Sequence, residues 1–109
     1  MSSITPHELR TQLDLGTEVV VIDVRSAVEF AWGHVPGAIH VPFWKLLSSA
    51  APGGLPRSSP VVVYCGHGPR AQLAMMGLRM RGYSSVCDLL GHWQGWRRLG
   101  FPETRGSRP

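Results

Sequence analysis

The sequence predicts a single α/β domain in which helices cover both faces of a parallel sheet. Two segments, 18–24 (EVVVIDV) and 61–65 (VVVYC), are apolar almost throughout, as is typical of strands buried on both faces. These and other predicted strands alternate with helical segments, an order that indicates parallel pairing through crossover helices. A length of 109 residues suits one small domain, and the chain shows neither a repeat nor an internal linker.

The first predicted helix spans residues 6–15 and has signals at both ends. Thr5 is the expected N-cap, Glu8 completes a capping box with it, and Pro6 suits the first helical position. Gly16 is expected to end the helix, because glycine readily adopts the left-handed conformation found at helix C-termini. A strand begins soon after this turn.

The remaining elements are predicted from the same kinds of signal. Residues 48–60 (SSAAPGGLPRSSP) are the stretch richest in Gly, Pro and Ser, so a surface loop is expected there. The core of the domain is expected at about 4–101, with 102–109 as a loose tail. The further predicted helices are 26–33, 43–49, 70–82 and 92–100, and the further predicted strands are 38–41 and 84–90.

The helix predicted over 70–82 carries an apolar stripe at helical spacing, which we interpret as its core-facing side. Three more apolar side chains widen the stripe, so we expect the helix to be well buried and its methionines to fill the core. The stripe consists of Ala71, Ala74, Met75 and Leu78, and the widening residues are Leu73, Met76 and Met80.

Composition argues against several classes of protein. Hydrophobic residues make up 43% and charged residues 17%, a balance that supports a packed core. No apolar run reaches membrane-spanning length, and MSSITPHELR lacks the features of a secretory signal, so we expect a cytoplasmic protein without membrane partners. The net charge of +4 comes without a basic helical stripe or a nucleic-acid motif, so no nucleic-acid partner is expected.

The segment CGHGPR is the most informative part of the chain. Cys65 ends a buried strand, at the sheet edge where ligands of parallel sheets bind. Gly66 and Gly68 allow a tight curl whose N–H groups point inward, and the helix that follows adds a partial positive charge. Arg70 adds a full charge, so we expect an ionised, nucleophilic thiol beside a bound anion. His67 is a candidate to hold the anion or to shuttle a proton.

Two other interpretations of this segment are a buried structural cysteine before an ordinary turn, and a nucleotide-phosphate site. The convergence of glycines, helix start and arginine favours a functional site over a structural cysteine. The loop has no lysine and matches neither phosphate-binding motif, which argues against a nucleotide. No four-ligand set accompanies Cys65 and His67, so no metal is expected.

Three segments, in the same order, resemble the motifs of the single-domain rhodanese family of sulfurtransferases. They are DVRSAVEFAWGHVPGAIHVP (23–42), VVVYCGHGPRA (61–71) and GYSSVCDLLGHWQGW (82–96). The resemblance covers about 4–101 and implies a five-stranded parallel sheet flanked by helices in three layers. It also implies that Cys65 carries a sulfane sulfur as a persulfide, with no metal or organic cofactor.

Loop length separates the enzymes that share this fold. Counted from Cys65 to Arg70, the loop has six residues. The resemblance implies that related phosphatases and arsenate reductases use seven, which makes a bowl wide enough for a tetrahedral oxyanion. The spacing therefore favours sulfur transfer from a small anionic donor such as thiosulfate to cyanide, a thiol or a sulfur-accepting protein. A phosphatase or arsenate reductase, and a non-enzymatic module for protein binding or redox sensing, stay as the alternatives.

Asp23 and Arg25 lie at or just past a strand end near the predicted site, and we assign them a supporting rather than a catalytic role. Asp23 is expected to accept hydrogen bonds from loop N–H groups, and Arg25 to pair with Glu29 at helical spacing. His92 stands where the closing segment of the family more often has a second glycine. Cys87 is expected to be a small buried hydrophobe rather than a disulfide partner.

Overall fold

Strands and helices alternate along the chain in the computed structural model, which describes residues 3–48 and 54–109. The strands are β1 Ser3–Ile4, β2 Val20–Asp23, β3 Ile39–His40, β4 Val61–Tyr64 and β5 Val86–Leu89. The helices are α1 Pro6–Leu15, α2 Ala27–Trp32, α3 Phe43–Ser48, α4 Pro69–Met80 and α5 His92–Arg98. Every predicted element is present, and most are shorter than predicted by one or two residues at an end. Of the predicted loop 48–60, residues 49–53 lie outside the described residues.

All strands in the described part of the chain are parallel and follow the order β1-β5-β4-β2-β3. β4 lies at the centre, with Val61 opposite both Val20 of β2 and Val86 of β5. Because parallel strands end at the same edge, the residues that follow β2 and β4 come together at the carboxyl edge of the sheet. The predicted five-stranded parallel sheet is confirmed.

The outer strand β1 is not predicted by the residues alone. Ser3 and Ile4 are too few to show an alternating pattern, and only their pairing with Asp88 and Leu89 of β5 makes them a strand. β3 is equally short. Both edges of the sheet therefore present few unpaired backbone groups.

Local capping interactions fix the starts of two helices. At α1 the Thr5 hydroxyl accepts from the Glu8 N–H at 3.1 Å, and the Glu8 carboxylate accepts from the Thr5 N–H at 3.0 Å, which is the predicted capping box. Ser26 and Glu29 form a second capping box at α2. None of the helices within residues 3–48 and 54–109 is long and apolar enough to cross a membrane.

A hydrophobic core lies on each face of the sheet, which confirms the three-layer arrangement. On the face covered by α3 and α4, the buried residues are Ile22, Val24, Leu46, Val61, Val63, Cys65, Ala71, Ala74, Met75, Leu78, Tyr83 and Val86. On the face covered by α1, α2 and α5, they are Ile4, Leu9, Val21, Phe30, Val35, Ala38, Val62, Tyr64, Leu89, Trp93 and Trp96. Successive residues of β4 point to opposite faces, which explains why this strand is apolar throughout.

One side of α4 is open to solvent, so the expectation that the whole widened stripe is buried is wrong. The central stripe is buried as predicted, but Leu73, Met76 and Met80 are 41%, 54% and 82% exposed. The sheet and α3 cover two sides of α4, and no other described element packs extensively against the third side. Apolar composition alone does not show how many neighbours a helix has.

Part of the predicted loose tail is hydrogen-bonded to the domain. His34 and Thr104 exchange two backbone hydrogen bonds of 2.9 Å each. The Gly106 N–H donates to the Ala31 carbonyl at 2.8 Å. The prediction of a loose segment over 102–109 therefore does not describe these positions. Thr104 and Gly106 bond to backbone groups of the domain, and such bonds cannot be predicted from the polar composition of the segment.

We expect Gly77→Ala to destabilise the protein, because a Cβ on Gly77 would overlap the Leu46 carbonyl where α3 crosses α4. Overpacking of this kind costs about 1–3 kcal/mol, against about 1 kcal/mol gained in helix propensity. Urea unfolding should show a net loss, whereas the matched variant Met76→Ala, on the open side of α4, should stay within about 0.5 kcal/mol of wild type. Equal stabilities for the two variants would show that α3 and α4 are not in close contact.

Candidate active site

Cys65 directly follows β4, at the carboxyl edge of the sheet, and a tight loop curls around its sulfur. The Gly68 N–H donates to Cys65 Sγ at 3.0 Å, and the Ala71 N–H is a second backbone donor to the same residue. Gly68 has a φ of 136°, a conformation that favours glycine. α4 begins at Pro69, directly after the curl. The structure thus brings together the cysteine, the inward-pointing N–H groups and the helix start.

Hydrogen bonds lower the pKa of the Cys65 thiol. Burial is the largest single influence and favours the neutral thiol, but hydrogen bonds from the His92 side chain and from the backbone of Ala71 and Gly68 together outweigh it. Their net effect lowers the pKa of Cys65 to about 7. A large fraction of this sulfur is therefore thiolate at neutral pH, which is the nucleophilic form.

The first turn of α5 fixes the loop through the loop's carbonyl groups. The Trp93 N–H donates to the Cys65 carbonyl at 3.0 Å, and the Gln94 N–H donates to the Gly66 carbonyl at 3.2 Å. These donors belong to the set that a helix start leaves without intrahelical partners. His67 is exposed at the tip of the loop.

Arg70 is held at the side of the loop by Glu29 of α2. Its guanidinium donates to both carboxylate oxygens, at 2.7 and 3.0 Å, and this hydrogen bonding is the main cause that lowers the pKa of Glu29 to about 2. The expected pair of Glu29 with Arg25 is therefore wrong. The lowered pKa of Cys65 depends chiefly on hydrogen bonds rather than on Arg70, whose positive charge is balanced by Glu29.

Asp23 and Arg25 form a buried ion pair beside the loop. The Asp23 carboxylate accepts from the Arg25 backbone N–H at 2.9 Å and from the guanidinium at 2.7 Å, with side chains 0% and 4% exposed. The guanidinium also donates to the Gly33 carbonyl at 2.6 Å. The expected hydrogen bonds from loop N–H groups to Asp23 are absent among the described residues, because Arg25 folds back onto the carboxylate.

Two aromatic rings enclose this ion pair. The guanidinium carbon of Arg25 lies 4.9 Å from the ring centroid of Trp93 and 5.7 Å from that of Tyr64. The Tyr64 hydroxyl accepts from the Val35 N–H at 3.0 Å, and burial raises the pKa of Tyr64 above its ordinary value. The end of β4, the end of β2 and the start of α5 are thereby packed into one polar cluster.

His92 is a site residue whose role the sequence left open. Its Nδ1 accepts from the Cys65 backbone N–H at 3.3 Å, and its Nε2 lies 3.5 Å from a carboxylate oxygen of Asp88. The residue is buried and has a φ of 53°, which costs about 1–2 kcal/mol for a residue other than glycine. The only sequence signal was a histidine at a position where the resembled family more often has glycine.

Cys87 has a different environment from Cys65. It is a free, half-buried thiol on β5, and burial raises its pKa. The structure thus gives the two cysteines opposite tendencies to ionise. Among the described residues, no three His, Cys, Asp or Glu side chains are grouped so that they could hold a metal ion.

The match to a family model decides how this arrangement is classified. Residues 5–99 match the rhodanese-like domain. The chain belongs to the rhodanese-like family. The matched range includes every residue of the loop around Cys65, together with Asp23, Arg25 and His92.

Several relatives of this rhodanese-like domain are named sulfurtransferases. The chain is 34% identical over 102 residues to the probable adenylyltransferase/sulfurtransferase MoeZ of Mycobacterium tuberculosis, covering 94% of this chain but only 26% of that protein. It is 33% identical over 104 residues to the thiosulfate sulfurtransferase GlpE of Pseudomonas aeruginosa, covering 95% and 90%. A crystal structure of a thiosulfate sulfurtransferase from P. aeruginosa superposes with a TM-score of 0.86 at 30% identity, over 97% of this chain and 20% of that chain. These relatives support a sulfurtransferase.

A basic cleft in the rhodanese-like domain adjoins the Arg70–Glu29 pair through Glu29. It has a volume of about 560 Å³ and is lined by residues of α2, α5 and the C-terminal segment. The lining residues include Arg25, Glu29, Trp32, Trp93, Arg97 and Arg105. Glu29 therefore contacts both the loop arginine and this cleft.

We expect Asp23→Asn to destabilise the domain by about 3–5 kcal/mol, because it leaves the buried Arg25 charge without a counterion. Urea unfolding measures the loss. The matched control is Glu103→Gln, which removes longer ion pairs of 3.7 and 3.8 Å to the exposed Arg97 and Arg105 and should cost less than about 1 kcal/mol. A loss no larger for Asp23→Asn than for the control would show that the buried pair does not hold this edge of the sheet together.

Proposed function

We propose that this protein is a sulfurtransferase that carries a sulfane sulfur as a persulfide on Cys65. The observation that carries the proposal is the Gly68 N–H, which points at Cys65 Sγ from 3.0 Å within a six-residue loop. Such a donor stabilises negative charge on the sulfur and on a second sulfur attached to it. The lowered pKa of Cys65 supports its role as the nucleophile, and the named relatives support sulfur transfer in general.

In the first half-reaction, the Cys65 thiolate attacks the outer sulfur of an anionic donor such as thiosulfate. A bond forms between these two sulfurs, and the bond from the outer sulfur to the sulfonate sulfur breaks with its electron pair. Sulfite leaves, and the outer sulfur remains on Cys65 as a persulfide anion. Thiolate and thiosulfate together carry the same charge as persulfide and sulfite, so this step needs no external oxidant, reductant or proton.

In the second half-reaction, cyanide or an acceptor thiolate attacks the outer sulfur of the persulfide. The bond to Cys65 breaks, the cysteine returns as a thiolate, and the product is thiocyanate or a new persulfide. A thiol carried by an acceptor protein fits the same chemistry. The two half-reactions use one loop in turn, so the scheme is ping-pong and involves neither a metal nor an organic cofactor.

The residues that we assign to donor binding are Gly66, His67, Gly68 and Arg70. Arg70 keeps its charge while it is paired, since the hydrogen bonds that it donates to Glu29 raise its pKa. Asp23 and Arg25 support the loop without touching the donor. We expect the activity in the cytoplasm, without a nucleic-acid or membrane partner.

Cys65→Ser should abolish transfer of sulfur from thiosulfate to cyanide, because serine keeps the shape of cysteine but lacks a sulfur that ionises near neutral pH. Thiocyanate formation should fall by at least ~10³-fold. Cys87→Ser is the matched control and should keep most of the activity. Transfer at the native rate by Cys65→Ser would remove Cys65 as the nucleophile, and an equal loss in Cys87→Ser would mean that a second thiol takes part.

Inserting one glycine between Gly68 and Pro69 should separate sulfur transfer from phosphatase chemistry. The longer loop widens the curl, so that its N–H groups no longer converge on the sulfur, and a misplacement of about 1 Å can cost ~10²-fold in rate. Thiosulfate turnover and hydrolysis of an aryl phosphate are measured side by side, with circular dichroism as the check on folding. A folded insertion variant that transfers sulfur as fast as wild type would show that loop length does not select the substrate.

A further inference from the structure

The walls of the basic cleft belong to the two helices that hold the cysteine loop. Glu29 of α2 lines the cleft and binds Arg70 of the loop. Trp93 of α5 also lines the cleft, and its backbone N–H donates to the Cys65 carbonyl at 3.0 Å. The cleft therefore lies directly beside the loop, although the two half-reactions described above make no use of it.

The Arg70–Glu29 ion pair forms the boundary between the cleft and the loop. On one side the Arg70 guanidinium lies 2.7 Å from the Glu29 carboxylate, and on the other a Cβ on Gly66 would lie 3.4 Å from its Nη2. The two paired side chains are 30% and 34% exposed, so solvent reaches this boundary. A molecule bound in the cleft can therefore extend across it toward the loop.

Positive charge is in excess around the cleft. Arg97 of α5 and Arg105 of the C-terminal segment share one carboxylate, that of Glu103, at 3.7 and 3.8 Å. Ion pairs this long between exposed arginines are weak, so an incoming anion can compete with Glu103 for them. Within residues 3–48 and 54–109, the cleft and its ion pairs contain four arginines, Arg25, Arg70, Arg97 and Arg105, against three carboxylates, Asp23, Glu29 and Glu103.

The residues of the cleft suit an organic acid. The group that Arg97 and Arg105 already hold is a carboxylate, and the guanidinium fork matches carboxylate geometry. The ring of Trp32 lines the same cleft and is 75% exposed, which provides an apolar surface for a carbon skeleton. A volume of about 560 Å³ lies in the range of about 300–1,000 Å³ that small-molecule sites have.

We propose that the basic cleft is the acceptor subsite, and that the sulfur acceptor is an acidic thiol whose carboxylates bind Arg97 and Arg105. The acceptor thiolate forms a bond to the outer sulfur of the Cys65 persulfide. The bond to Cys65 Sγ breaks with its electron pair, and the acceptor leaves as a persulfide, so electrons and charge balance without another reactant. The inference rests on the proposed function for this transfer step, whereas binding of carboxylates in the cleft does not depend on it.

Two acetylated peptide amides that differ only in charge, Asp-Cys-Glu and Asn-Cys-Gln, test the acceptor subsite. Protein is loaded with thiosulfate, freed of excess donor and mixed with each peptide at constant ionic strength. Mass spectrometry follows the loss of the persulfide sulfur from Cys65 and gives a second-order rate constant for each acceptor. Mercaptosuccinate, a free acidic thiol, is measured in the same way.

The double variant Arg97→Gln/Arg105→Gln should react with the acidic peptide about fivefold more slowly than wild type, and with the neutral peptide less than twofold more slowly. An exposed arginine–carboxylate pair contributes up to about a fivefold effect, which sets this scale. Arg98→Gln is the matched control, because Arg98 is an exposed arginine of α5 that does not line the cleft. It should leave both rates within about twofold of wild type.

Glu103→Gln should change the rate in the opposite direction. It removes the carboxylate that competes for the two arginines while keeping the shape of the side chain, so the acidic peptide should react about threefold faster. The neutral peptide should react at nearly the wild-type rate. A merely structural role of these side chains would not slow the acidic peptide in one variant and accelerate it in the other.

Equal rates for the acidic peptide in wild type and in the folded double variant would overturn the acceptor subsite. Slower loading by thiosulfate with no change in the acceptor rates would also overturn it, because the cleft would then serve the donor. If mercaptosuccinate responds to the variants as the acidic peptide does, a free acidic thiol suffices as acceptor. If only the peptide responds, the subsite takes an acidic peptide segment.

The peptide Asp-Ser-Glu, which has no thiol, keeps the two proposals apart. Its binding is followed by tryptophan fluorescence in wild type and the double variant, with Trp32→Phe to identify the signal from the cleft. If the double variant binds it about fivefold more weakly but wild type transfers no sulfur, the carboxylate site stands and the proposed function falls. If wild type transfers sulfur and neither binding nor acceptor rates respond to the variants, the proposed function stands and the subsite falls.

Discussion

The buried ion pair of Asp23 and Arg25 is the interaction on which the geometry of this site depends. Two charges removed from water need close and complete pairing, and Arg25 achieves it by donating to Asp23 and to the Gly33 carbonyl. Those two acceptors lie at the end of β2 and just after α2. The pair therefore fixes both ends of α2 relative to the sheet, and the Trp93 ring stacked near the guanidinium brings the start of α5 to the same place.

From this pair, two connections reach the loop around Cys65. Along α2, Glu29 is placed where it binds the two terminal nitrogens of the Arg70 guanidinium. Along α5, the Trp93 N–H reaches the Cys65 carbonyl. The cysteine loop is thus attached to the rest of the domain on two sides, while its own N–H groups remain directed at the sulfur. Because the attachments are made by the Cys65 carbonyl and the Arg70 side chain, the N–H groups inside the curl remain available to stabilise negative charge on the sulfur.

The features that could be predicted from the sequence are those whose cause lies within a few neighbouring residues. The capping box at Thr5 and the curl after Cys65 depend only on residues within one short segment. The burial of the central strands can be predicted because those strands consist almost entirely of apolar residues. Glu29 could not be assigned to Arg70, because 41 positions separate them and only the fold brings α2 beside the loop. The exposure of Met80 depends on which sides of α4 have neighbours, and the strand character of Ser3 depends on β5.

The hydrogen bond between Ser3 and Asp88 has a consequence for protein synthesis. The two residues are 85 positions apart, so the first strand cannot pair until β5 has been synthesised. The His92 side chain, whose hydrogen bond helps to lower the pKa of Cys65, also leaves the ribosome after the cysteine. A nascent chain would therefore carry an ordinary, weakly reactive thiol until β5 and the start of α5 have been synthesised. Late closure of the sheet thus spares the unfinished polypeptide from premature sulfur chemistry and oxidation.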